Sequence, residues 1–136
     1  TNNKNILKNE VSKKINPILR KIVTTKEGTA SLANINGYEV GGKTGTAQKS
    51  AVGGYSNNKI NTFASVFPIS NPKFVLVIML DEPKTNSEYI YNYRDGSDIK
   101  YKGTPFNTAG WTTVEVAGQI IEKIGPILAT KYNEVY

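Results

Sequence analysis

The sequence contains no cysteine and no histidine. Without cysteine there are no disulfides and no thiolate metal sites, and either redox compartment is permitted. Without histidine a Ser-His-Asp triad, a Cys-His pair and the usual zinc sites are excluded, so any acyl-transfer chemistry would need lysine as its base. No apolar run approaches the roughly 20 residues of a membrane span, and the first residues carry no signal-peptide pattern. Acidic residues are scarce at the start: within the first 26 positions Glu10 stands alone against Lys4, Lys8, Lys13, Lys14, Arg20, Lys21 and Lys26. The other 110 residues carry ten charges of each sign, so the net charge of +6 belongs to one N-terminal segment. Such a segment reads as a solvated helix face or an edge that meets a neighbour, and no nucleic-acid partner is expected.

What is present suits one modest core. With 136 residues, 38% of them hydrophobic, positions 1–136 are expected to form a single domain or part of one. Residues 1–10 are polar and aperiodic. Ile15, Ile18, Leu19, Ile22 and Val23 recur at helical spacing, with Arg20 and Lys21 on the opposite side, and predict an amphipathic helix of about 10 to 14 residues. It starts either at Ser12 or at the Asn16-Pro17 pair, which suits a cap followed by a first-turn proline, and Gly28 ends it. Thr29 to Ala33 predict a short helical turn, and Asn36-Gly37 a chain reversal. Three strands follow, Tyr38 to Lys49, Thr62 to Phe67 and Phe74 to Leu80, with a loop from Ser50 to Asn58 and a tight turn at Ser70-Asn71-Pro72-Lys73. The short turn makes the last two an antiparallel hairpin, and the apolar run of the third predicts burial on both faces. Lys84 to Asn107 is polar, carries Tyr89, Tyr91, Tyr93 and Tyr101, and reads as a long loop with at most a partly ordered turn. After Trp111 a helical stripe runs through Val114, Ala117, Ile120, Ile121, Ile124, Ile127 and Leu128, and Gly125-Pro126 is expected to kink or end it. The fold class is α+β: an antiparallel sheet of about three strands flanked by an N-terminal and a C-terminal helix.

Chemistry concentrates in Gly41-Gly42-Lys43-Thr44-Gly45-Thr46-Ala47-Gln48. As a strand, this places Lys43 and Gly45 on one face and Thr44 and Thr46 on the other. One cation, two hydroxyls and a glycine against which a ligand can lie are what a carboxylate site requires. The same region matches a nucleotide-binding pattern, since Gly37 to Thr44 reads G-x-x-x-x-G-K-T and the third strand ends in Asp81-Glu82. A P-loop, however, needs a buried strand before it and a helix after Lys-Thr, in a parallel sheet. Here no helix can be argued after Thr44, and the sheet is antiparallel, so an ATPase is the least favoured reading.

The neighbours of Lys43-Thr44-Gly45 carry a family resemblance. Gly28-Thr29-Ala30, then Gly37-Tyr38-Glu39-Val40-Gly41-Gly42-Lys43-Thr44-Gly45-Thr46-Ala47-Gln48, resembles the "GTA … GY-x-V-x-GKTGTAQ" block of class B penicillin-binding proteins. The spacing to Thr62-Phe63-Ala64-Ser65-Val66-Phe67-Pro68 and Asn71-Pro72-Lys73 is similar, and Thr108-Ala109-Gly110-Trp111 is similar to the end of division-specific members. Lys-Thr-Gly belongs to the signature set of these enzymes, with Ser-x-x-Lys. The resemblance implies part of a penicillin-binding/β-lactamase-like transpeptidase fold, in a serine-type D,D-transpeptidase that needs no cofactor or metal. It cross-links peptidoglycan stem peptides and is acylated by β-lactams. It also implies that Lys43 supplies positive potential and joins the proton network, and that Thr44 and Thr46 bind the substrate carboxylate beside Gly45. The Thr46 N–H would be one of two oxyanion donors. Lys43 and Thr46 are thus the catalytic candidates, and Lys43, Thr44, Gly45 and Thr46 the substrate-binding ones. Tyr38 and Gly42 are expected to shape the strand, and Trp111 to anchor the core or an interface.

The departure from the family is the nucleophile. Ser12 is followed three residues later by Ile15, and Ser31 by Asn34, so neither fits Ser-x-x-Lys or Ser-x-Asn. The chain is therefore expected to be a C-terminal piece, inactive alone, whose missing N-terminal part brings the serine and the membrane anchor. On this reading the intact protein sits in a bacterial inner membrane with this domain in the periplasm, among septal division proteins. An exposed apolar face and homodimerisation of the isolated piece follow. The alternative is a non-catalytic interaction module of the same fold, with the Lys43 strand binding a carboxylate.

Overall fold

The structure is a computed structural model that describes residues 6–92, 99–103 and 106–132. Of the expectations above, those on Tyr93 and on residues 1–5 lie outside the described residues. Helix α1 covers Asn9–Thr24, then a 3-10 turn at Ser31–Ala33 leads to strands β1 (Gly41–Ala51), β2 (Gly54–Phe67) and β3 (Phe74–Asp81). Short strands β4 (Ile90–Asn92) and β5 (Lys100–Lys102), a 3-10 turn at Ala109–Trp111 and helix α2 (Thr113–Tyr132) complete the order. The three long strands form one antiparallel sheet in the order β1-β2-β3. The predicted α+β arrangement is therefore the observed one.

One face of that sheet holds the core. Pairing aligns Thr44 with Phe63 and Ile78, and Gly42 with Ser65 and Leu76. Phe63, Phe67 and Ser65 are buried on this face under Val114, Ala117 and Ile121 of α2. Val23, Leu32, Ala33 and Val40 close the core from the α1 side. Helix α2 thus packs on the sheet as its stripe predicts, although Ile127 of that stripe is exposed. It does not end at Gly125-Pro126 but continues to Tyr132. Proline forfeits one helical hydrogen bond there, while Gly125 seats against the Tyr38 ring, where a Cβ would come within 2.4 Å.

Four further expectations are corrected. Helix α1 begins at Asn9, before both predicted starts, and Pro17 lies inside it. Its first turn holds Glu10 and its last Lys21, which complements the helix dipole where no side chain caps the start. Arg20 does not face away. Its guanidinium donates to the Val40 carbonyl at 2.7 Å, and Asn16 Nδ2 to the Ile69 carbonyl at 3.2 Å. The apolar stripe is broader than the surface that the sheet offers, so Leu19 and Val23 turn inward while Ile15 and Ile18 stay exposed. The Ser50 to Asn58 loop is instead the tip of a hairpin, since β1 and β2 extend to a two-residue turn at Val52-Gly53 in which Gly53 has φ +87°. Polar side chains concealed a strand wetted on both faces, and glycine supplies the positive φ of the turn. Finally, the long polar stretch contains the β4–β5 hairpin, with Tyr91 registered opposite Tyr101.

Strand β3 was expected to be buried on both faces, yet it alternates. Phe74, Leu76 and Ile78 pack on the core, whereas Val75, Val77 and Met79 are exposed by 72%, 56% and 65%. Val11, Ile15 and Ile18 of α1 are exposed as well; large apolar side chains left open in this number invite association, and among the described residues β3 is the last strand of its sheet. The isolated chain should therefore self-associate. Its mass by sedimentation velocity is expected to rise with concentration and Val77→Lys to return it to monomer; a monomer at every concentration would contradict this.

Candidate functional site

Four contacts aim the middle of β1. The chain turns at Asn36-Gly37, where Gly37 has φ +82° and Tyr38 N–H returns to the Ile35 carbonyl. The start of the strand is then clamped by the Arg20 bond to Val40 and by Ile69 N–H on the Glu39 carbonyl, 2.9 Å. Ser70 hydroxyl donates to the Glu39 carboxylate. Burial lowers the pKa of Arg20, and the Glu39 charge pulls it back up; the guanidinium stays charged at any ordinary pH.

The pleat separates the predicted residues as expected. Lys43 and Gly45 are exposed on one face, and Thr44 and Thr46 lie on the other. Lys43 Nζ folds back over the strand to the Thr44 carbonyl, 2.7 Å. The Thr44 hydroxyl shares a hydrogen bond with that of Thr29, 2.8 Å, and the Thr46 hydroxyl accepts the Ala109 N–H at 3.0 Å. Because β1 is an outer strand of the sheet, every second backbone N–H and C=O of it points away from β2. A group lying along that open edge is within reach of the cation from one face and of the hydroxyls from the other.

The glycines of this stretch have different reasons. A Cβ on Gly42 would come within 2.6 Å of the Ala64 carbonyl and 2.7 Å of the Phe63 ring, and one on Gly41 within 2.8 Å of Ile69. Those two are needed for packing. At Gly45 the nearest atom would be 3.9 Å away, so internal packing does not explain the missing side chain there.

On the hydroxyl side lies a cavity of about 240 Å³ bounded by Lys26, Thr29, Ser31, Thr44, Thr46 and Trp111. Its far wall is the Thr108–Trp111 segment, positioned by Asn61. That residue is fully buried on β2 opposite Thr46. Its Nδ2 donates to the Asn107 carbonyl at 2.9 Å and to the Thr112 hydroxyl at 2.8 Å. Lys59 Nζ adds a bond to Asn107 Oδ1, 2.8 Å. Trp111 packs against the core, as expected, and also borders the cavity. The roles of Thr29, Asn61 and Ala109 were not legible in the sequence, because each depends on contacts across 15 to 63 positions; only the strand register could have placed Asn61 beside Thr46.

Two sequence patterns lose their functional meaning here. Lys43-Thr44 sits within a strand that runs straight into a hairpin, so no helix N-terminus is available to hold phosphates. Asp81 and Glu82, the apparent magnesium acids, instead grip Lys49 at 2.8 Å each and hold its pKa above the ordinary lysine value. The Ser-x-x-Lys spacing, absent at Ser12 and Ser31, does occur at Ser56–Lys59, Ser70–Lys73 and Ser97–Lys100. Serine and lysine three apart meet on a helix, not on a strand. Ser56 and Lys59 lie on β2 and bond separately, to the Lys49 carbonyl and to Asn107. Ser70 is in a turn and bonded to Glu39, and Ser97 lies outside the described residues.

Comparison with known proteins identifies the fold and the family. The family of the penicillin binding protein transpeptidase domain matches residues 1–99, which include the whole β1 site. A probable peptidoglycan D,D-transpeptidase FtsI of Caulobacter vibrioides is 31% identical over 134 residues, 93% of this chain and 20% of that protein. An FtsI homologue of Mesostigma viride is 39% identical over 113 residues, 80% of this chain and 16% of that protein. The chain thus spans about a fifth of the length of the curated relatives it matches. Among solved structures, the transpeptidase domain of the FtsI4 D,D-transpeptidase from Legionella pneumophila superposes with a TM-score of 0.62 at 24% identity, over 88% of this chain and 37% of that one, and shows the fold. Penicillin binding protein 3 from Mycobacterium tuberculosis complexed with aztreonam gives 0.54 at 28% identity, over 82% of this chain and 23% of that one. A Lys-Thr-Gly strand at an open sheet edge, in a matching fold and within the matching segment, leads to one assignment: this chain belongs to the penicillin-binding protein transpeptidase domain family and is FtsI-like within it.

Proposed function

We propose that the chain forms the carboxylate-binding wall of a serine-type peptidoglycan D,D-transpeptidase that cross-links stem peptides during septum formation and is acylated by β-lactams. The observation that carries this is Gly45. It has no packing partner that demands a glycine, and it lies between a cation and two hydroxyls at a strand edge, where a ligand backbone or lactam can lie flat. The substrate's terminal carboxylate bridges the edge. Lys43 compensates its charge from one face, and the Thr44 and Thr46 hydroxyls donate to it from the other. The Thr46 N–H acts as one oxyanion donor while the serine oxygen attacks the penultimate carbonyl. The peptide bond breaks, a serine ester forms, and the terminal D-alanine leaves with a proton passed through the lysine network. An amine of a second stem peptide then displaces the serine.

The nucleophile belongs to a segment outside this chain. No described serine is followed one helical turn later by lysine on a helix, so the isolated chain should form no penicilloyl adduct by mass spectrometry. An adduct at Ser56 or Ser70 would contradict this. The intact protein places this domain in the periplasm, anchored in the inner membrane among septal division proteins. Support for β-lactam recognition comes from the related penicillin binding protein 3 of Mycobacterium tuberculosis, which is complexed with aztreonam and with ampicillin. The test is to label source-cell membranes with a fluorescent penicillin and probe the same gel with an antibody against this chain. A labelled band much larger than 14.9 kDa that coincides with the antibody signal is expected. A small unlabelled band alone would replace the enzyme with a binding module.

A further inference from the structure

We infer that Thr29 is a positioning residue for the carboxylate site, acting by orienting the single hydroxyl proton of Thr44; this rests on the transpeptidase reading above. A hydroxyl has one proton to donate and two lone pairs to accept with. An ionised carboxylate only accepts, so a threonine that binds it must spend its one proton on it. For Thr46 this direction is already set, because its oxygen receives the Ala109 N–H at 3.0 Å and an N–H cannot act as acceptor. The Thr46 proton is left for a ligand.

Thr44 has a different partner. Its hydroxyl lies 2.8 Å from that of Thr29, and either oxygen can be the donor. A carboxylate at Thr44 selects one of the two arrangements, in which Thr29 donates to Thr44 and Thr44 donates to the ligand. Two hydroxyls in such a chain polarise each other, and the terminal one becomes a stronger donor. Replacing Thr29 by a residue without a hydroxyl leaves Thr44 free to rotate and to spend its proton elsewhere.

The position of Thr29 is itself prepared. Ala30 beside it is fully buried and donates its N–H to the Ile22 carbonyl, 3.1 Å. Gly28 on the other side packs so closely that a Cβ would lie 2.2 Å from that same carbonyl. Gly110 abuts the Thr29 carbonyl, where a Cβ would come within 2.7 Å. A residue held by backbone on three sides carries an exposed hydroxyl toward β1 at little further loss of entropy.

The experiment uses the complete transpeptidase domain that contains this chain, wild type and with Thr29→Val or Thr29→Ser. Acylation rate constants are measured with benzylpenicillin and with its methyl ester, which lacks the carboxylate. Thr29→Val should lower the rate constant for the free acid about five- to tenfold, the scale of one hydrogen bond, and change that for the ester less than twofold. Thr29→Ser should restore the free-acid value, and thermal melts of the three proteins should agree. An equal loss on acid and ester, or no loss on either, would overturn the role of Thr29 while leaving the transpeptidase reading intact. A wild-type domain that is not acylated at all would overturn both.

Discussion

Lys43→Ala should reduce acylation of the complete domain by a β-lactam by about 10²- to 10⁴-fold, the range found when a positioned charged or proton-transferring group is removed. The same change should leave the melting temperature almost unaltered. Lys43 is exposed, and its only described bond is to the carbonyl of its neighbour Thr44, so the folded state loses no buried contact and no ion pair. Near-neutral surface substitutions of this kind fall within about 0.5 kcal/mol. Lys43→Arg is not expected to rescue the rate, since a planar guanidinium cannot follow the path by which the compact amine curls over the strand. Gel quantification of a fluorescent penicillin against time, beside a thermal melt, checks both parts. Full activity of Lys43→Ala would remove the lysine from the mechanism, and a collapsed melt would make its role structural.

Gly28→Ala should do the reverse and act through stability. A Cβ at Gly28 would stand 2.2 Å from the Ile22 oxygen, 2.8 Å from the Ile22 carbon and 3.0 Å from the Thr25 oxygen, all of them backbone atoms. None of these is the flexible end of a side chain, so the turn after α1 must open, and the bond from Ala30 N–H to Ile22 opens with it. Overpacking against a fixed neighbour costs about 1–3 kcal/mol, or about 2–4 °C of melting temperature per kcal/mol in a domain of this size. Gly45→Ala gives the contrast. Nothing lies closer than 3.9 Å to the new methyl group, so stability should be kept while acylation falls, because the methyl would occupy the surface proposed above for the ligand. Urea denaturation of the two variants, paired with acylation rates, separates a glycine that the fold needs from one that the ligand needs. Equal stability losses would make both structural.

The two glycines also mark how far residues alone could be read. Both fall in blocks that resemble the family, and neither block says why its glycine is there. Alternation along β1 put Lys43 and Gly45 on one face and Thr44 and Thr46 on the other, because the period of two is a property of any extended chain. In the same way the stripe of Val114, Ala117 and Ile121 announced α2. Solvated strands were harder: Tyr55 to Asn58 carry no apolar face, so nothing in their composition distinguishes a strand from a loop. Pro126 misled in the other direction, since a local penalty was outweighed by packing of Gly125 on Tyr38. Arg20 did so as well. Its charge suggested solvent, yet a strand-start carbonyl supplied a partner only the tertiary arrangement provides.

By itself the sequence determined the fold class and the family and singled out the β1 stretch as the candidate carboxylate-binding strand, since these follow from short-range periodicity and from a contiguous block of residues. It also showed that these 136 residues themselves supply no histidine or cysteine side chain. Tertiary structure alone decided that β1 is an outer strand, that Thr29 meets Thr44 and Ala109 meets Thr46, and that Val75, Val77 and Met79 face outward. It alone also showed that the Ser-x-x-Lys spacings at Ser56 and Ser70 are not on a helix. The physical reason is one of range. Backbone geometry ties each residue to its neighbours within a turn or a pleat, whereas the partners of a hydroxyl, a glycine or a sheet edge come from wherever the folded chain returns.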